Sequence, residues 1–280
     1  MTGMTIDEAL AYGRTRLALS PTPYLDARLL LQFVLQRSHS YLVAHNNARL
    51  TAVQETHYRQ LLQRAHQHEP IPYLIGSAPF YDFELEVNPA VLIPRPETEQ
   101  LVDTAVQWAK THHAVRLADI GTGSGAIAIA LARQLPTATI AAGDISADAL
   151  AVARRNASRL APGRIHFYQG DLLTPLPSGL DGIVANLPYV TTGEWTVLAD
   201  GVKWYEPALA LKGGADGLDL IQQLLAQAVN KLAPQGAIFL EIGWQQGTAV
   251  TQLAHTFFPE AQVTIQVDFA GHDRIVVVMR

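Results

Sequence analysis

The chain of 280 residues contains no cysteine. Disulfide bonds, thiolate metal ligands and a catalytic thiol are therefore excluded. Charge is also sparse, at 16% of residues, and 25 acidic residues outnumber 20 basic ones, which gives a formal net charge of -5. This balance argues against a protein whose affinity comes mainly from neutralising nucleic-acid phosphates. Hydrophobic residues, in contrast, make up 49% of the chain, which is enough at this length for two folded domains.

Long apolar runs are missing as well. No stretch reaches the length of a membrane span, and the first residues include Asp7 and Glu8 where a secretion signal has its apolar core. Neighbouring histidines such as His112 and His113 lack the HExxH spacing of a zinc-binding helix. We therefore expect a cytoplasmic protein with no membrane association and no metal.

Residues 1–75 predict a small helical bundle. Apolar residues recur with helical spacing across 5–69, and Leu25–Leu35 is one such segment. Another begins with Thr51 and Gln54, which have the spacing of a capping box, and it continues with the apolar residues Tyr58, Leu61, Leu62 and Ala65. Strand-like alternation is missing here, so we expect a separate bundle of helices.

Residues 76–95 predict a hairpin or an extended linker between two domains. The run Phe80–Leu92 alternates between apolar and polar residues as short strands do. It follows a cluster of residues that interrupt helices and strands, namely Pro70, Pro72, Gly76 and Pro79. We therefore expect the first domain to end near residue 75.

Residues 96–280 predict an α/β domain with a mostly parallel sheet. Several apolar runs have the character of strands: Val115–Ile120, Thr137–Gly143, Ile165–Gln169, Gly182–Ala185 and Ala237–Glu241. Helical runs alternate with them: Ala126–Arg133, Ala147–Arg159, Leu218–Leu232 and Gln246–Phe257. Alternation of this kind is typical of a parallel sheet covered by helices, as in Rossmann-like folds.

The C-terminal end of this domain predicts an antiparallel hairpin. The strand-like runs Gln262–Phe269 and Arg274–Met279 are joined by only four residues around Gly271. A parallel crossover needs a dozen or more residues. The two strands therefore have to run in opposite directions.

A glycine-rich turn predicts a cofactor site where the first strand of the α/β domain ends. Glycines there let the backbone turn sharply and approach a ligand, and the carboxyl ends of the strands form the binding crevice of an open sheet. The turn follows Asp119 and Ile120 and supplies the cofactor-binding candidates Gly121, Thr122, Gly123, Ser124 and Gly125. A nucleotide-like cofactor is implied.

Acidic residues at the next two strand ends predict further contacts to this cofactor. Asp144 ends the second strand, where a carboxylate can accept hydrogen bonds from both ribose hydroxyls. Asp171 and Leu172 close the third strand, where a carboxylate or a backbone N–H can meet the base. We therefore include Asp144, Asp171 and Leu172 in the predicted cofactor site.

Four residues after the fourth strand predict chemistry at a planar nitrogen. Asn186 offers a side-chain oxygen, and Leu187, held extended by the proline that follows it, offers its carbonyl. Together these acceptors can take both hydrogens of an amide or an exocyclic amine. Pro188 restricts the turn, and the ring of Tyr189 can cover the flat group. By themselves the four residues also fit an ordinary turn, so the assignment depends on the rest of the chain.

A glycine-rich turn with an acidic strand end also describes a nicotinamide dinucleotide site. Such a site places a pyrophosphate at the helix N-terminus, whereas a methyltransferase cofactor has no phosphate and presents a sulfonium methyl group. Hydride transfer needs no pair of acceptors for an amine, but methyl transfer to a planar nitrogen does. Methylation is therefore the interpretation that uses all of these residues. An adenine-N6 nucleic-acid methyltransferase, a nicotinamide-dependent oxidoreductase and a non-catalytic binding module remain as alternatives.

Short motifs are spread over nearly the whole chain: Asp26–Leu31 (DARLLL), Pro70–Gly76 (PIPYLIG), Leu92–Glu99 (LIPRPETE), Asp119–Gly125 (DIGTGSG), Tyr205–Pro207 (YEP), Leu240–Gly243 (LEIG) and Gly271–Arg274 (GHDR). With these motifs the chain resembles the bacterial peptide chain release factor glutamine methyltransferases of the class I S-adenosylmethionine-dependent family. PRPETE is the most specific of them. In the related ribosomal-protein glutamine methyltransferases, the segment similar to Arg95–Glu99 usually reads differently, which favours the release-factor substrate.

This resemblance implies a class I methyltransferase sheet, preceded by the helical bundle, that uses S-adenosylmethionine. The methyl group would go to the side-chain amide of the glutamine in the Gly-Gly-Gln motif of class-1 release factors. Asn186, Leu187 and Tyr189 would be catalytic, the whole tetrad with Pro188 would bind substrate, and Asn186 would also border the cofactor. The helical domain would dock the release factor, and the enzyme would be a monomer without sequence-specific nucleic-acid binding.

One position departs from the family pattern. The tetrad of the family usually reads Asn-Pro-Pro-Tyr, whereas this chain has Leu187 at the second position. In relatives that position contributes its backbone carbonyl, which Leu187 also has, and Pro188 still restricts the conformation. The rigidity of the loop is the property that changes. The resemblance suggests pocket-edge or structural positions, without a settled role, for Arg95, Glu97, Glu99, Glu206 and Glu241.

Overall fold

The computed structural model describes residues 3–280, which divide into two units. The first, which we call the helical unit, contains the chain up to Ser77 and the later segment Ala199–Tyr205. The second, the sheet unit, contains Ala78–Leu198 and Glu206–Arg280. Among the helices of residues 3–280, none is long and apolar enough to cross a membrane.

The helical unit closes amphipathic helices around an apolar core. Its first helices are α1 (Ile6–Arg16), α2 (Pro23–Leu35), α3 (His39–Ala44), α4 (Ala52–His66) and α5 (Ile71–Ile75). The predicted capping box of α4 is confirmed, because the Gln54 N–H donates to Thr51 Oγ1 (3.2 Å) and the Thr51 N–H donates to Gln54 Oε1 (2.9 Å). Tyr58 is fully buried, and its hydroxyl donates to the Ala27 carbonyl at 3.1 Å. The predicted helical bundle is confirmed.

Two sheets form the centre of the sheet unit. The smaller is a hairpin of β1 (Ser77–Phe80) and β2 (Phe83–Glu86). The strands of the larger are β3 (Arg116–Ile120), β4 (Thr139–Asp144), β5 (Ile165–Gln169), β6 (Leu180–Asn186), β7 (Leu232–Glu241), β8 (Gln262–Val267) and β9 (Asp273–Met279). Their order across the sheet is β5-β4-β3-β6-β7-β9-β8.

Helices connect these strands. They are α6 (Glu97–Thr111), α7 (Ala126–Gln134), α8 (Ala147–Leu160), α9 (Thr192–Val197), α11 (Asp219–Ala228) and α12 (Gly247–Phe257), with a short 3₁₀ helix at Ala208–Ala210. The remaining helix, α10 (Asp200–Tyr205), belongs to the helical unit.

Strand pairing confirms the predicted mostly parallel α/β fold. β3 pairs in parallel with β4 and β6, β4 with β5, and β6 with β7. β9 runs antiparallel to both β7 and β8, so the predicted C-terminal hairpin is confirmed as well. The parallel strands β3, β4, β6 and β7 read as nearly continuous apolar runs because the centre of the sheet is covered on both faces, whereas the edge strand β5 is only half-buried. Ile183, Ile238 and Val276, for example, are fully buried.

One predicted helix is wrong at its C-terminal end. The sequence predicts a helix over Leu218–Leu232, but α11 ends at Ala228 and β7 begins four residues later. The Lys231 carbonyl accepts a hydrogen bond from the Leu180 N–H at 2.9 Å, which ties this stretch to the start of β6. Pro234 also cannot continue a helix. Apolar spacing alone does not separate the end of a helix from the start of a buried strand.

The segment Ala199–Tyr205 joins the helical unit although it lies far along the chain. The Tyr205 hydroxyl donates to the Gln67 carbonyl at 3.0 Å. Gly201 approaches the His68 carbonyl so closely that a Cβ at Gly201 would lie 2.9 Å from its oxygen. Neither this segment nor α6 has a counterpart among the sequence predictions.

The parallel strands bring their C-terminal ends to one edge of the large sheet, which we call the carboxyl edge. Ile120 at the end of β3 lies opposite Gly143 of β4. Asn186 at the end of β6 lies opposite Glu241, the last residue of β7. Loops that leave these strands therefore meet at the same edge, where open parallel sheets bind ligands.

Asn156 on α8 fastens two loops near this edge. Its Oδ1 accepts from the Glu86 N–H at 2.7 Å, and its Nδ2 donates to the carbonyls of Glu86 and Ser124, each at 2.9 Å. The side chain is fully buried, and its hydrogen bond to the Ser124 carbonyl is buried as well, whereas the two to Glu86 are half-buried. Asn156 therefore connects the β1–β2 hairpin to the glycine-rich loop.

We predict that Asn156→Ala lowers the free energy of unfolding by about 2–4 kcal/mol, because one buried and two half-buried backbone groups lose their hydrogen bonds to Asn156. Chemical denaturation of the purified protein measures this. Ser158→Ala is the matched control, because Ser158 is an exposed residue of the same helix with one local hydrogen bond. Equal denaturation midpoints for the two variants would contradict the role of Asn156.

Candidate active site

A cavity of about 370 Å³ opens at the carboxyl edge. The loops after β3, β4, β5 and β6 and the segments 90–92 and 207–210 contribute to its walls. The predicted site residues that line it are Gly121, Gly123, Asp144, Asp171, Leu172, Asn186, Leu187 and Pro188. Those that do not line it are Thr122, Ser124, Gly125 and Tyr189. The structure thus brings most of the predicted cofactor and substrate residues to one place.

The glycine-rich loop is held in a tight turn by its own hydrogen bonds. Gly121 and Gly123 have φ values of 73° and 54°, in the left-handed region that favours glycine. The N–H groups of Gly121 and Thr122 both donate to the Gly143 carbonyl, at 2.9 and 3.0 Å. Thr122 and Ser124 are buried, so they support the loop from within the protein.

Asp119 lies fully buried at the end of β3. Its Oδ2 accepts from the Thr122 hydroxyl at 2.6 Å and from the Ala128 N–H at 3.0 Å, while Oδ1 has no partner among residues 3–280. Burial raises the pKa of Asp119 to about 7, and the nearby carboxylate of Asp144 adds to the rise. Because Ala128 lies in the first turn of α7, an acidic side chain already occupies the positive end of that helix.

Asp144 ends β4 with both carboxylate oxygens fixed by backbone donors. Oδ2 accepts from the Gly123 N–H and Oδ1 from the Ser146 N–H, each at 2.9 Å. Burial raises the pKa of this carboxyl group. Each oxygen keeps a further lone pair, so Asp144 can still accept hydrogen bonds from a ligand in the cavity.

The polar groups around the cavity favour a cationic ligand over a pyrophosphate. A dinucleotide site binds phosphate through free N–H groups of its glycine loop and helix N-terminus. Here the N–H groups of Gly121, Thr122 and Gly123 donate to acceptors within the protein. At the N-terminus of α7, the Ala128 N–H donates to Asp119. Acidic side chains are also part of the cavity wall. The residues therefore fit S-adenosylmethionine, which carries positive charge and no phosphate, better than a nicotinamide dinucleotide.

The turn after β5 adds a strained backbone position to the wall. Leu172 has φ = 47°, a left-handed value that is unfavourable for leucine. Gln227 holds this turn, because its Nε2 donates to Asp171 Oδ2 at 3.3 Å and its Oε1 accepts from the Leu173 N–H at 2.8 Å. Asp171 and Leu172 both line the cavity, as the predicted contact to a base requires.

Two adjacent acceptors follow at the end of β6. Asn186 Nδ2 donates to Thr98 Oγ1 at 3.1 Å, whereas its Oδ1 accepts no hydrogen bond from any residue of 3–280. The Leu187 carbonyl likewise receives no hydrogen bond from that part of the chain. The Leu187 side chain is buried in the core, where a Cβ at Gly121 would come within 3.2 Å of its Cδ2. Packing therefore fixes the residue that replaces the usual proline.

Tyr189 lies beside these acceptors and outside the cavity wall. Its hydroxyl is 3.5 Å from Glu241 Oε1, and burial, with a smaller effect of the Glu241 carboxylate, raises its pKa to about 12. Gln246 Nε2 donates to the carbonyls of Tyr189 and Asp216, at 3.2 and 3.1 Å. Gln246 thereby holds the backbone of the tetrad. The placement of the Tyr189 ring over a substrate amide stays a prediction.

Glu206 joins two segments of the wall. Its Oε1 accepts from the Arg95 guanidinium at 2.5 Å, and its Oε2 accepts from the Ile93 N–H at 3.1 Å. The Glu206 side chain is buried, so this charge-assisted pair is shielded from water. Glu206 precedes the wall segment 207–210, and its partners Ile93 and Arg95 follow the wall segment 90–92. The hydrogen bonds therefore hold the two wall segments together.

Glu97 and Glu99, the other charged residues of the PRPETE motif, have different surroundings. Glu99 Oε1 accepts from the Tyr81 N–H at 2.7 Å. The Tyr81 hydroxyl lies 2.6 Å from the Glu99 carbonyl oxygen and 2.7 Å from Asp103 Oδ1, and its one proton is shared between these two acceptors. Glu99 therefore secures the β1–β2 turn to α6. Glu97 is exposed, and neither glutamate lines the cavity.

Known proteins are similar in sequence to nearly the whole chain. Family profiles described as PrmC N-terminal domain and Methyltransferase small domain match residues 8–76 and 99–200. The release factor glutamine methyltransferase of Moorella thermoacetica is 39% identical over 281 residues, which cover 99% of this chain and 99% of the relative. That of Bordetella pertussis is 41% identical over 255 residues, covering 90% and 93%. The chain belongs to the release factor glutamine methyltransferase family. The predicted resemblance is confirmed.

The fold of this family also occurs in methyltransferases that act on other substrates. The 16S rRNA N2 G1207 methyltransferase of T. thermophilus, solved in complex with AdoMet and guanosine, superposes with a TM-score of 0.53 at 18% identity, covering 73% of this chain and 49% of that one. At that identity the likeness shows the fold alone. The substrate therefore has to be argued from the site.

Several residues that build the site were missed by the sequence analysis. Thr98 lies inside the PRPETE motif, so the motif itself held a signal that could have identified it. Gln227 on α11 and Gln246, the residue before α12, carry no such signal, because glutamine is usually an exposed residue. Their function as clamps on backbone groups depends on which loops the fold places beside them.

We predict that Asp119→Asn changes how stability depends on pH. The folded protein holds a proton on Asp119 up to about pH 7, whereas the carboxyl group ordinarily titrates at 3.8. The free energy of unfolding of the cofactor-free protein should therefore fall as pH rises from about 4 to 7, and the variant should lack this contribution. Calorimetric melting at pH 5 and pH 8 measures the difference. Asp216→Asn, at an exposed position, is the control, and parallel pH slopes for wild type and Asp119→Asn would overturn the assignment.

Proposed function

We propose that this chain transfers a methyl group from S-adenosylmethionine to the side-chain amide nitrogen of the glutamine in the Gly-Gly-Gln motif of class-1 release factors. The observation that carries this proposal is the pair of free acceptors, Asn186 Oδ1 and the Leu187 carbonyl, on the wall of a cavity with acidic groups. Two acceptors side by side match the two hydrogens of a primary amide. The family of the chain supports the choice of glutamine over adenine.

The cofactor part of the proposal rests on the cavity. S-adenosylmethionine supplies an electrophilic methyl group on a positively charged sulfur. Asp144 would accept hydrogen bonds from the ribose hydroxyls, and Asp171 with Leu172 would contact the base, since all three residues line the cavity. The acidic character of the wall stabilises positive charge by electrostatic attraction.

An amide nitrogen needs help to react, because its lone pair is delocalised into the carbonyl group. Asn186 and Leu187 would accept one N–H each and so hold the nitrogen in a fixed orientation. They would also place partial negative charge next to the nitrogen as it becomes positive. Fixed orientation of two reacting groups is worth roughly 7–11 kcal/mol in favourable intramolecular reactions, so positioning can supply much of the acceleration.

Removal of the amide proton needs no general base in this scheme. The tetrad contains no histidine, and the Tyr189 hydroxyl, with a pKa near 12, stays protonated at neutral pH. An amide nitrogen that has gained a methyl group while keeping its protons is acidic enough to lose one to water. The residues of the tetrad therefore bind and orient the amide.

The protein substrate is the part of the proposal that depends on the family. We propose that the helical unit docks a release factor in the cytoplasm and that its flexible Gly-Gly-Gln loop reaches the tetrad. The enzyme would act as a monomer and would need no sequence-specific contact to nucleic acid. The net charge of -5 is consistent with a protein partner.

Incubation of the enzyme with methyl-labelled S-adenosylmethionine and a purified release factor tests the proposal directly. The label should appear on the glutamine of the Gly-Gly-Gln motif, and a release factor with alanine at that position should stay unlabelled. Transfer of label only to DNA or only to a ribosomal protein would overturn the substrate assignment. Binding of NAD without binding of S-adenosylmethionine in calorimetry would overturn the cofactor assignment.

We predict opposite kinetic effects at the two ends of the cavity. Asn186→Ala should lower kcat by about a hundredfold or more, because one preorganised acceptor is lost, with a smaller change in cofactor affinity. Asp144→Ala should mainly weaken cofactor binding. Steady-state kinetics and calorimetric titration of the cofactor measure both, and Asn230→Ala, at an exposed position, is the control. Full turnover by Asn186→Ala would refute its role.

A further inference from the structure

Glu241 is a buried carboxyl group that the mechanism above does not use. It ends β7 with 2% of its surface exposed, and no ion pair within 4 Å involves it in residues 3–280. A carboxylate without a cationic partner is unfavourable in such a place. A buried carboxyl group with a raised pKa beside the tetrad is therefore a candidate for a role other than stability.

Asn186 and Tyr189, the polar residues of the tetrad, are both connected to the Glu241 carboxyl group by hydrogen bonds. The Thr98 hydroxyl, on α6, donates to Glu241 Oε2 at 2.7 Å, and Asn186 Nδ2 donates to the Thr98 oxygen at 3.1 Å. The Tyr189 hydroxyl lies 3.5 Å from the other oxygen, Oε1. Glu241 therefore accepts directly from Tyr189, and it is connected to Asn186 through the Thr98 hydroxyl.

The single hydroxyl proton of Thr98 decides which way the Asn186 amide faces. An ionised Glu241 can only accept, so Thr98 has to donate its proton to Glu241. The Thr98 oxygen then has only lone pairs left, and these require the NH₂ side of the Asn186 amide. The amide oxygen is consequently directed away from Thr98 and is left free.

We propose that Thr98 and Glu241 are positioning residues that hold the Asn186 amide with its oxygen toward the substrate nitrogen. This inference rests on the proposed function of Asn186 as an acceptor for a substrate NH₂ group. With the opposite orientation, Asn186 presents its own NH₂ to the NH₂ of the substrate. Two donors then face each other, and the acceptor pair is broken.

The charge of Glu241 controls this arrangement. A protonated Glu241 can donate to Thr98, which frees the Thr98 proton for the Asn186 oxygen and stabilises the reversed amide. Burial raises the pKa of Glu241, the Thr98 hydrogen bond and the positive charge of Arg274 on β9 lower it, and the negative charge of Glu97 on α6 raises it. The hydrogen bond from Tyr189 lowers it as well. At saturating cofactor, kcat should therefore fall as pH drops through the pKa of Glu241.

A comparison of threonine variants on α6 tests this relay, by which we mean the chain of hydrogen bonds from Glu241 through Thr98 to Asn186. Thr98→Val removes the hydroxyl at nearly constant volume and should lower kcat about tenfold or more, the effect of one hydrogen bond. The KM for S-adenosylmethionine should hold, because Thr98 does not line the cavity. Thr98→Ser, which restores the hydroxyl, should recover most of the lost turnover. Thr104→Val is the matched control, because Thr104 lies on the same helix and bonds Gln266 at 2.8 Å.

Glu241→Gln separates positioning from structural support. The variant should lose turnover at every pH and lose the acid decline of kcat, because its neutral amide can face Thr98 as donor or acceptor. Its melting temperature at pH 8 should equal or exceed that of wild type, because a buried unpaired charge has been removed. Glu206→Gln is the contrast, since it weakens the buried pair with Arg95 and should lower the melting temperature.

The outcomes distinguish this inference from the proposed function. Loss of turnover in Asn186→Ala, together with full turnover in Thr98→Val, would overturn the relay and leave the role of Asn186 in place. Full turnover in Asn186→Ala would overturn the proposed function itself. A lower melting temperature in Glu241→Gln, with an unchanged pH profile of kcat, would show that Glu241 only supports the fold and would also overturn the inference.

Discussion

Parallel pairing of β3 through β7 is the constraint on which the site depends. The register sets Ile120 against Gly143 and Asn186 against Glu241, so these parallel strands all end at the same edge of the sheet. Each loop that leaves a strand then contributes its first residues to one cavity. A slip of one residue would turn the strand side chains to the opposite face of the sheet and would move Asn186 away from Thr98.

Electrostatics explains how a common glycine-rich loop is adapted to one class of ligand. In this chain the N–H groups of Gly121 and Thr122 donate to the Gly143 carbonyl. The Asp119 carboxyl group accepts from the Ala128 N–H at the positive end of α7. The groups that would bind a phosphate are thereby used by the protein itself. The carboxylate of Asp144, on the cavity wall, favours a ligand that carries hydroxyl groups or positive charge. Hydrogen-bond direction and charge therefore distinguish this loop from a phosphate-binding one.

Local signals in the sequence were sufficient for the strands, the capping box at Thr51 and the position of the tetrad. These features depend on apolar spacing and turn residues within a few positions of one another. The contact between Thr98 and Glu241 spans 143 residues of chain, and that between Asn156 and Glu86 spans 70. No local pattern encodes such pairs, because they form only when the sheet has brought distant loops together. The end of α11 was missed for a related reason, since pairing with β6 overrides helical spacing there.

The path of the chain through Ala199–Tyr205 limits how this protein can be divided. Because the polypeptide leaves the sheet unit, contributes a short helix to the helical unit and returns, neither unit is one continuous stretch of sequence. A fragment that begins at Ala78 would retain this helix without Gln67 and His68, the residues it packs on. Domain exchange between relatives therefore has to carry both pieces of the helical unit together, and a recombination point placed only at residue 77 separates parts that fold against each other.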